Sequence, residues 1–283
     1  MSQKNILNLF LVFIVIALAA VIFYSEEKTT ELERLTRTDP DDIVTITISH
    51  NKNETSLSRQ LADNESEAHW NITQPVAIAA NDFRINSILQ LLNAPVHNRY
   101  RSSEIDLDKI GLLNPTTVIK LNNIKIAFGI TNPATSLRFV RIGEAISTIE
   151  DVYFPLLSSN FSTLVSLNLL PANTLPFAGM EKLILLNQTI TKDENGFWKS
   201  NISISADNIN KVLDHWQHDQ AFGVHQYLER KKLGEIFIYK SNPVETITYQ
   251  ITDTDPWLIL ARPEIGLEYH LDIEAYDNLI SPY

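Results

Sequence analysis

Val44, Ile46 and Ile48 alternate with Thr45 and Thr47, the period-two pattern of a strand with one buried face. A polar insertion follows, and Trp70-Asn71-Ile72-Thr73 opens a second extended piece. Asn81 can cap a helix in which Ile85, Ile88, Leu89 and Leu92 fall at i, i+3, i+4 and i+7, all on one face. Ala94-Pro95 ends it, because the residue before a proline is pushed out of the helical region. The plan then recurs. Leu183 to Ile190 is strand-like, Asp193-Glu194-Asn195-Gly196 is a turn, and Phe197-Trp198 begins the return strand. Ser205 caps a helix with Ile209, Val212, Leu213 and Trp216 at the same spacing, so the two helices align at a constant separation of 124.

Further on the separation is 110, aligning Ile126, Phe128, Pro133, Leu137 and Phe139 with Ile236, Ile238, Pro243, Ile247 and Tyr249. Asn132-Pro133 and Asn242-Pro243 then fall between paired strands, where proline suits a turn and cannot donate to a ladder. The change of separation places extra residues in the first copy, within 111–121. Cap, helical face and hairpin recur in one order, which argues for a duplicated β-β-α-β-β unit. The fold class expected is α+β: an N-terminal transmembrane helix, then two repeated antiparallel sheets, each backed by a short amphipathic helix.

The transmembrane expectation rests on Asn5 to Tyr24, which carry no charge; twenty helical residues at about 1.5 Å each match a bilayer core. Lys4 precedes the run and Ser25-Glu26-Glu27 follows it, which keeps residues 1–4 cytoplasmic and exports the rest. Ala17-Leu18-Ala19 offers the alternative of a cleaved signal peptide; Val21 to Tyr24 extend the run to a full span and favour an anchor. The chain divides accordingly into a tail 1–4, an anchor 5–24, an acidic linker 25–42, a first repeat 43–160, a junction 161–178 and a second repeat 179–283.

Composition removes several functions. With 34 acidic and 23 basic residues the net charge is −11, and a nucleic-acid binder needs the opposite balance. There is no cysteine, hence no disulfide, thiol nucleophile or Cys-type zinc site. The closest of the eight glycines, Gly223 and Gly234, are eleven apart, which excludes the glycine-rich phosphate loops and the G-x-S-x-G elbow. Six Asn-x-Ser/Thr triplets, from Asn53 to Asn201, are what so asparagine-rich a chain holds by composition.

Trp70-x-Ile72-x-x-Pro75, Ala80-Asn81 before a helix, and Ile110-Gly111-Leu112-x-Asn114-Pro115 before a strand resemble the domain-of-unknown-function family numbered 4340. Ile126-x-Phe128-Gly129, Arg138-Phe139-Val140-Arg141 and the apolar ending 149–157 extend the resemblance over about residues 42–157; the second half shares it more weakly. The resemblance implies a bacterial protein anchored by one N-terminal span, without established activity, in some cases accompanying ABC-type exporters.

Three groups of side chains carry candidate chemistry. His215-x-x-His218, with Asp214, Asp219 and His225, has ligand-like spacing, but neither helical histidine lies on the apolar face, so both are expected in water. Asp39-Pro40-Asp41-Asp42 and Asp193-Glu194-Asn195 bring carboxylates together in turns with no apolar pocket around them. Arg84, Arg99, Arg101, Arg138 and Arg141 hold half of the chain's ten arginines within 58 residues. At the separation of 110, Thr248 and Ile251 stand where Arg138 and Arg141 stand in the first copy, so the fold itself does not require these arginines. With Phe139 facing the core, Arg138 faces solvent; Arg138 and Arg141 are therefore the residues expected to contact an acidic partner or anion. The bland alternative is a set of surface arginines balancing nearby acids.

The function expected is a non-enzymatic, single-pass envelope protein of the bacterial inner membrane, with an exported periplasmic domain that binds other proteins. An accessory subunit of an ABC-type transporter or envelope assembly complex fits this description. No catalytic residue, cofactor or metal is assigned. The alternative is an enzyme or small-ligand binder acting on an envelope polymer such as glycan.

Overall fold

The computed structural model describes residues 10–18, 32–60, 69–170, 179–241 and 244–281. Residues 10–18 are helical (α1), and the remainder of the expected anchor 5–24 lies outside the described residues. Among the described residues no helix is long and apolar enough to cross a membrane, so the expected transmembrane helix is unsupported.

The unit that begins at Arg34 also departs from the expected α+β plan. It is built mostly of two large antiparallel sheets, of nine and eight strands, and its helices are few and short. The first sheet contains β1 (Thr45–His50), β2 (Asn53–Gln60), β3 (His69–Gln74), β4 (Ile78–Ala79), β5 (Asn98–Arg101), β6 (Thr117–Leu121), β7 (Ile124–Thr131), β8 (Leu137–Ile142) and β9 (Ala145–Glu150). Its order is β4-β3-β2-β1-β6-β7-β8-β9-β5. The second contains β10 (Met180–Ile184), β11 (Thr189–Lys192), β12 (Trp198–Ser200), β13 (Gly223–Gln226), β14 (Gly234–Ser241), β15 (Val244–Thr254), β16 (Trp257–Arg262) and β17 (Leu267–Asp272), in the order β12-β11-β10-β14-β15-β16-β17-β13. The expected unit undercounted strands because β5, β9, β13 and β17 are four to six residues long. Arg99 and Arg101 also leave β5 few of the apolar positions that mark a strand in sequence.

Apart from β4, the two orders match strand for strand. Ile46 lies between Leu57 and Leu121, just as Leu183 lies between Ile190 and Ile238. Trp70 stands across from Arg59, and Trp198 across from Lys192. A short helix, α3 (Phe154–Ser158), follows β9. The longer helices sit at the same point of each copy. α2 (Asp82–Leu89) begins where Asn81 accepts from the Arg84 amide at 3.1 Å, and α4 (Ala206–His218) where Ser205 accepts from the Asn208 amide at 3.2 Å. Ile85, Ile88 and Leu89 are buried on one, Ile209, Val212, Leu213 and Trp216 on the other.

The strand order also shifts the alignment by one hairpin. Ile119 pairs with Ile126, and Ile236 pairs with Tyr249, so β6 corresponds to β14 and β7 to β15. Asn132-Pro133 follows β7, before β8; Asn242-Pro243, aligned with it from sequence, lies outside the described residues. The counterparts of Arg138 and Arg141 are therefore Leu258 and Ala261, opposite Leu271 and Glu268, rather than Thr248 and Ile251.

One contiguous core takes side chains from both sheets, from α2 and α4, and from Leu164, Val165, Leu169 and Leu170 of the junction. The segment before β1 joins it: Leu35 is buried, and its amide reaches the Ala94 carbonyl at 2.9 Å. The first sheet is covered on its other face too. There Ile110 and Leu112 lie over Ala127, Phe139 and Ile146 in a second, smaller cluster. They come from residues 102–116, fifteen residues between β5 and β6; the corresponding connection in the second copy, 227–233, has seven. Gly129 lets the lid approach, since a Cβ there would stand 2.2 Å from the Ile110 carbonyl oxygen.

Candidate functional site

The two sheets differ most on the face turned away from the main core. In β17, Leu267, Tyr269 and Leu271 enter the core, so period-two alternation puts Glu268, His270 and Asp272 on the opposite face. Cross-strand pairing sets His225 of β13 beside Glu268 and Trp257 of β16 beside Asp272.

Glu268 is the centre of this face. Its side chain is 1 % exposed and accepts from Arg230 Nη1 at 2.6 Å, Arg230 Nη2 at 3.1 Å and the Leu228 amide at 3.0 Å. His270 Nε2 lies 2.8 Å from the second carboxylate oxygen. Burial raises the carboxyl's pKa, but the bonds from Arg230, Leu228 and His270 outweigh it and hold the group below the ordinary glutamate range. Arg230 and Leu228 belong to the short 227–233 connection, which covers only this end of the face.

The other end is open and aromatic. The His225 and His270 rings are 4.5 Å apart, and Phe222 packs edge-on against Trp257 at 5.7 Å and His270 at 6.2 Å. Phe222 is 48 % exposed and Trp257 47 %. Gly223 makes room for this stack, because a Cβ there would stand 2.8 Å from His225 Nε2. Burial, and then the neighbouring His270, pull the His225 pKa below its ordinary value. Chemically the face offers a rigid aromatic ledge beside a neutralised carboxylate.

The residues singled out from sequence do not gather here. Arg138 is on the main-core face with Val140, not in solvent, because Phe139 points into the second cluster instead. Its guanidinium holds Asp151 in a two-bond fork at 2.5 and 2.9 Å, donates to the Gly129 carbonyl and lies 3.5 Å from the centre of the Phe154 ring. Arg141 is at the surface, donating to the Gly143 carbonyl at 2.8 Å with Glu144 at 3.6 Å. Arg84 donates to the Thr163 carbonyl, and Arg99 reaches toward the Arg34 carbonyl at 3.5 Å. These four arginines thus serve separate neighbours, and Arg101 is exposed on β5.

His215 and His218 each face a carboxylate of their own helix, Asp219 at 3.1 Å and Asp214 at 2.9 Å, while His225 joins His270. Among the described residues no three His, Asp or Glu side chains are placed to share a metal ion. Asp39 caps the turn Pro40–Asp42 through the Asp41 amide. Asp193 accepts from Lys199 and from the Phe197 and Asn195 amides, which holds its carboxyl below the usual range. An open cleft of about 550 Å³ runs between Lys52, Glu54, Pro75, Ser159, Asn160 and Gln226.

Sequence reading missed Arg230, Glu268 and His270. The available signal was the alternation Leu267-Glu268-Tyr269-His270-Leu271-Asp272, three apolar and three polar groups in strict succession.

Fold and face together define a two-sheet antiparallel protein of duplicated strand order, with a half-covered ionic and aromatic surface on its second sheet. No family model, curated protein or solved structure matches the chain. The resemblance to the family numbered 4340 rests on the short motifs quoted above.

Proposed function

We propose that this chain is a non-enzymatic protein-binding component of a bacterial cell envelope, and that its contact surface is the outer face of the second sheet. The observation that carries the reading is the ledge of Phe222 and Trp257. Two large aromatic side chains are held side by side, each about half exposed, where the first copy closes the corresponding face with residues 102–116. Exposed, fixed aromatics are the usual anchors of protein interfaces, because they bury much area at little cost in side-chain freedom. The envelope location rests on the family resemblance. A role as accessory subunit of an ABC-type transporter or envelope assembly complex follows from the same resemblance.

A photo-reactive amino acid in place of Trp257, with exposed Lys211 of α4 as control position, tests this in cells. A discrete adduct with one protein from position 257 and none from position 211 is expected. Equal, diffuse labelling from both would remove the reading. The small-ligand alternative draws on the polar cleft beside Lys52 and Asn160. Equilibrium dialysis against glycan fragments, with Asn160→Ala as control, would favour that reading if retention depended on Asn160.

A further inference from the structure

The ledge carries a charge pattern of its own. Between Ser241 and Tyr283 there are eight acidic residues and a single basic one, Arg262. Arg262 is already occupied, with Glu264 at 2.8 Å and the Tyr249 ring beneath it. Glu268, in turn, is neutralised by Arg230 and adds nothing to an outward field. What remains beside the aromatics is exposed and negative. Asp272 shares the face of His270 and stands directly across from Trp257; Asp255 precedes Trp257 by two residues; Glu274 continues from β17 past exposed Ile273. None of these three carboxylates takes part in an ion pair among the described residues.

We propose that the partner segment received by this face is basic and apolar: a stretch of protein chain in which Lys or Arg flanks one or two aliphatic or aromatic side chains. This rests on the protein-binding reading above and adds the partner's chemistry to it. The apolar side chain seats against Phe222 and Trp257, and the flanking cations lie over Asp255, Asp272 and Glu274. An acidic segment would meet three carboxylates at the rim. An uncharged one would leave them beside a newly dried surface, where unpaired charge is costly. Of the lysines in the 227–233 connection, Lys232 is engaged by Glu235 at 2.9 Å.

The test titrates the full chain into two fluorescein-labelled peptides, one with Lys flanking a Leu-Leu pair and one with Glu in place of every Lys, followed by anisotropy. A chitotetraose arm is followed by Trp257 fluorescence, assigned with Trp257→Phe. The Lys peptide is expected to bind, to weaken as salt rises, and to lose at least tenfold in affinity in Trp257→Ala and again in Asp272→Lys. The Glu peptide is expected not to bind. If both peptides bind equally and both need Trp257, the face binds protein but the charge inference is overturned. If neither binds while chitotetraose shifts Trp257, the protein-binding reading falls with it. Binding of the Lys peptide that survives both Trp257→Ala and Asp272→Lys overturns the proposal. Asp272 is exposed, so the second variant keeps the test decisive should Trp257→Ala lose its fold.

Discussion

Ile146 and Glu268 occupy the same position of two sheets with one strand order. Ile146 stands between Arg141 and Tyr100, and Glu268 between Ala261 and His225. Around Ile146 the fifteen-residue connection supplies Ile110 and Leu112 and the site is dry. Around Glu268 the seven-residue connection supplies Arg230, and the site is ionic. Connection length and the residue beneath it have changed together. A short connection cannot form an apolar lid, so the exposed part of the face has become polar and aromatic.

This pairing makes Glu268 a demanding position. Glu268→Ala leaves the Arg230 guanidinium half-buried without its partner, and breaking such a pair costs about 3–5 kcal/mol. The double variant Glu268→Ile with Arg230→Leu imitates the first copy and should recover most of that loss, since apolar replacements of buried pairs are often neutral. Urea denaturation of the three proteins decides it; a double variant no better than Glu268→Ala would show that the ion pair is not the cause.

The face also predicts an acid-sensitive stability. His225 has a lowered pKa in the folded protein, so the unfolded chain binds the extra proton first. Stability therefore falls as pH drops below about 6.5, the ordinary histidine value, and the fall ends below the folded pKa. Glu268, also lowered, stabilises above its ordinary value and loses that contribution as pH falls through the folded one. His225→Gln should remove the upper step and leave the lower. Thermal melts from pH 8 to pH 3 would refute the assignment if His225→Gln and the parent fell in parallel.

The helices were legible in sequence because each combines a side-chain cap with apolar residues at helical spacing, four in α4 and three in α2, whose expected fourth, Leu92, falls in the 3-10 turn Gln90–Asn93. The number of strands was not. β13, with Val224 its one buried residue, reveals itself only by its pairing, when Val224 and Tyr269 meet across the ladder. The orientation of Arg138 was hidden for a different reason. A phenylalanine in a strand marks a core face, but this sheet is buried on both sides, and only the lid formed by Ile110 and Leu112 accounts for Phe139 opposite the main core. The ledge was out of reach because Phe222 and Trp257 are 35 residues apart and meet through strand order.

Leu89 and Leu213 provide a direct comparison of the two helices. Both are buried in the same core, at 3 % and 0 % exposure. Leu89→Ala and Leu213→Ala should each cost about 2–5 kcal/mol, the range for a leucine whose cavity does not collapse. A negligible loss at either, in chemical denaturation, would mean that the helix is not anchored through that residue.

Arg138 and Arg141 separate a structural arginine from a surface one. They lie three residues apart on β8, and alternation sends them to opposite faces. Arg138, 12 % exposed, forks onto Asp151 and covers the Phe154 ring. Burial pushes the Asp151 carboxyl up, but the bonds from Arg138 and Thr131 prevail and hold it below the usual aspartate range. Charge reversal at Arg138 places two carboxylates together in a half-buried site, so Arg138→Glu should cost about 3–5 kcal/mol, the penalty of breaking a buried pair. The cost should shrink as pH falls through the Asp151 titration, because a protonated Asp151 no longer needs its cation. Arg141→Glu meets only an exposed Glu144 and should change stability by about 0–1 kcal/mol. Urea midpoints at pH 7 and pH 3 for both variants check the contrast. If Arg138→Glu is as mild as Arg141→Glu, the fork onto Asp151 does not hold β8 to the segment after β9.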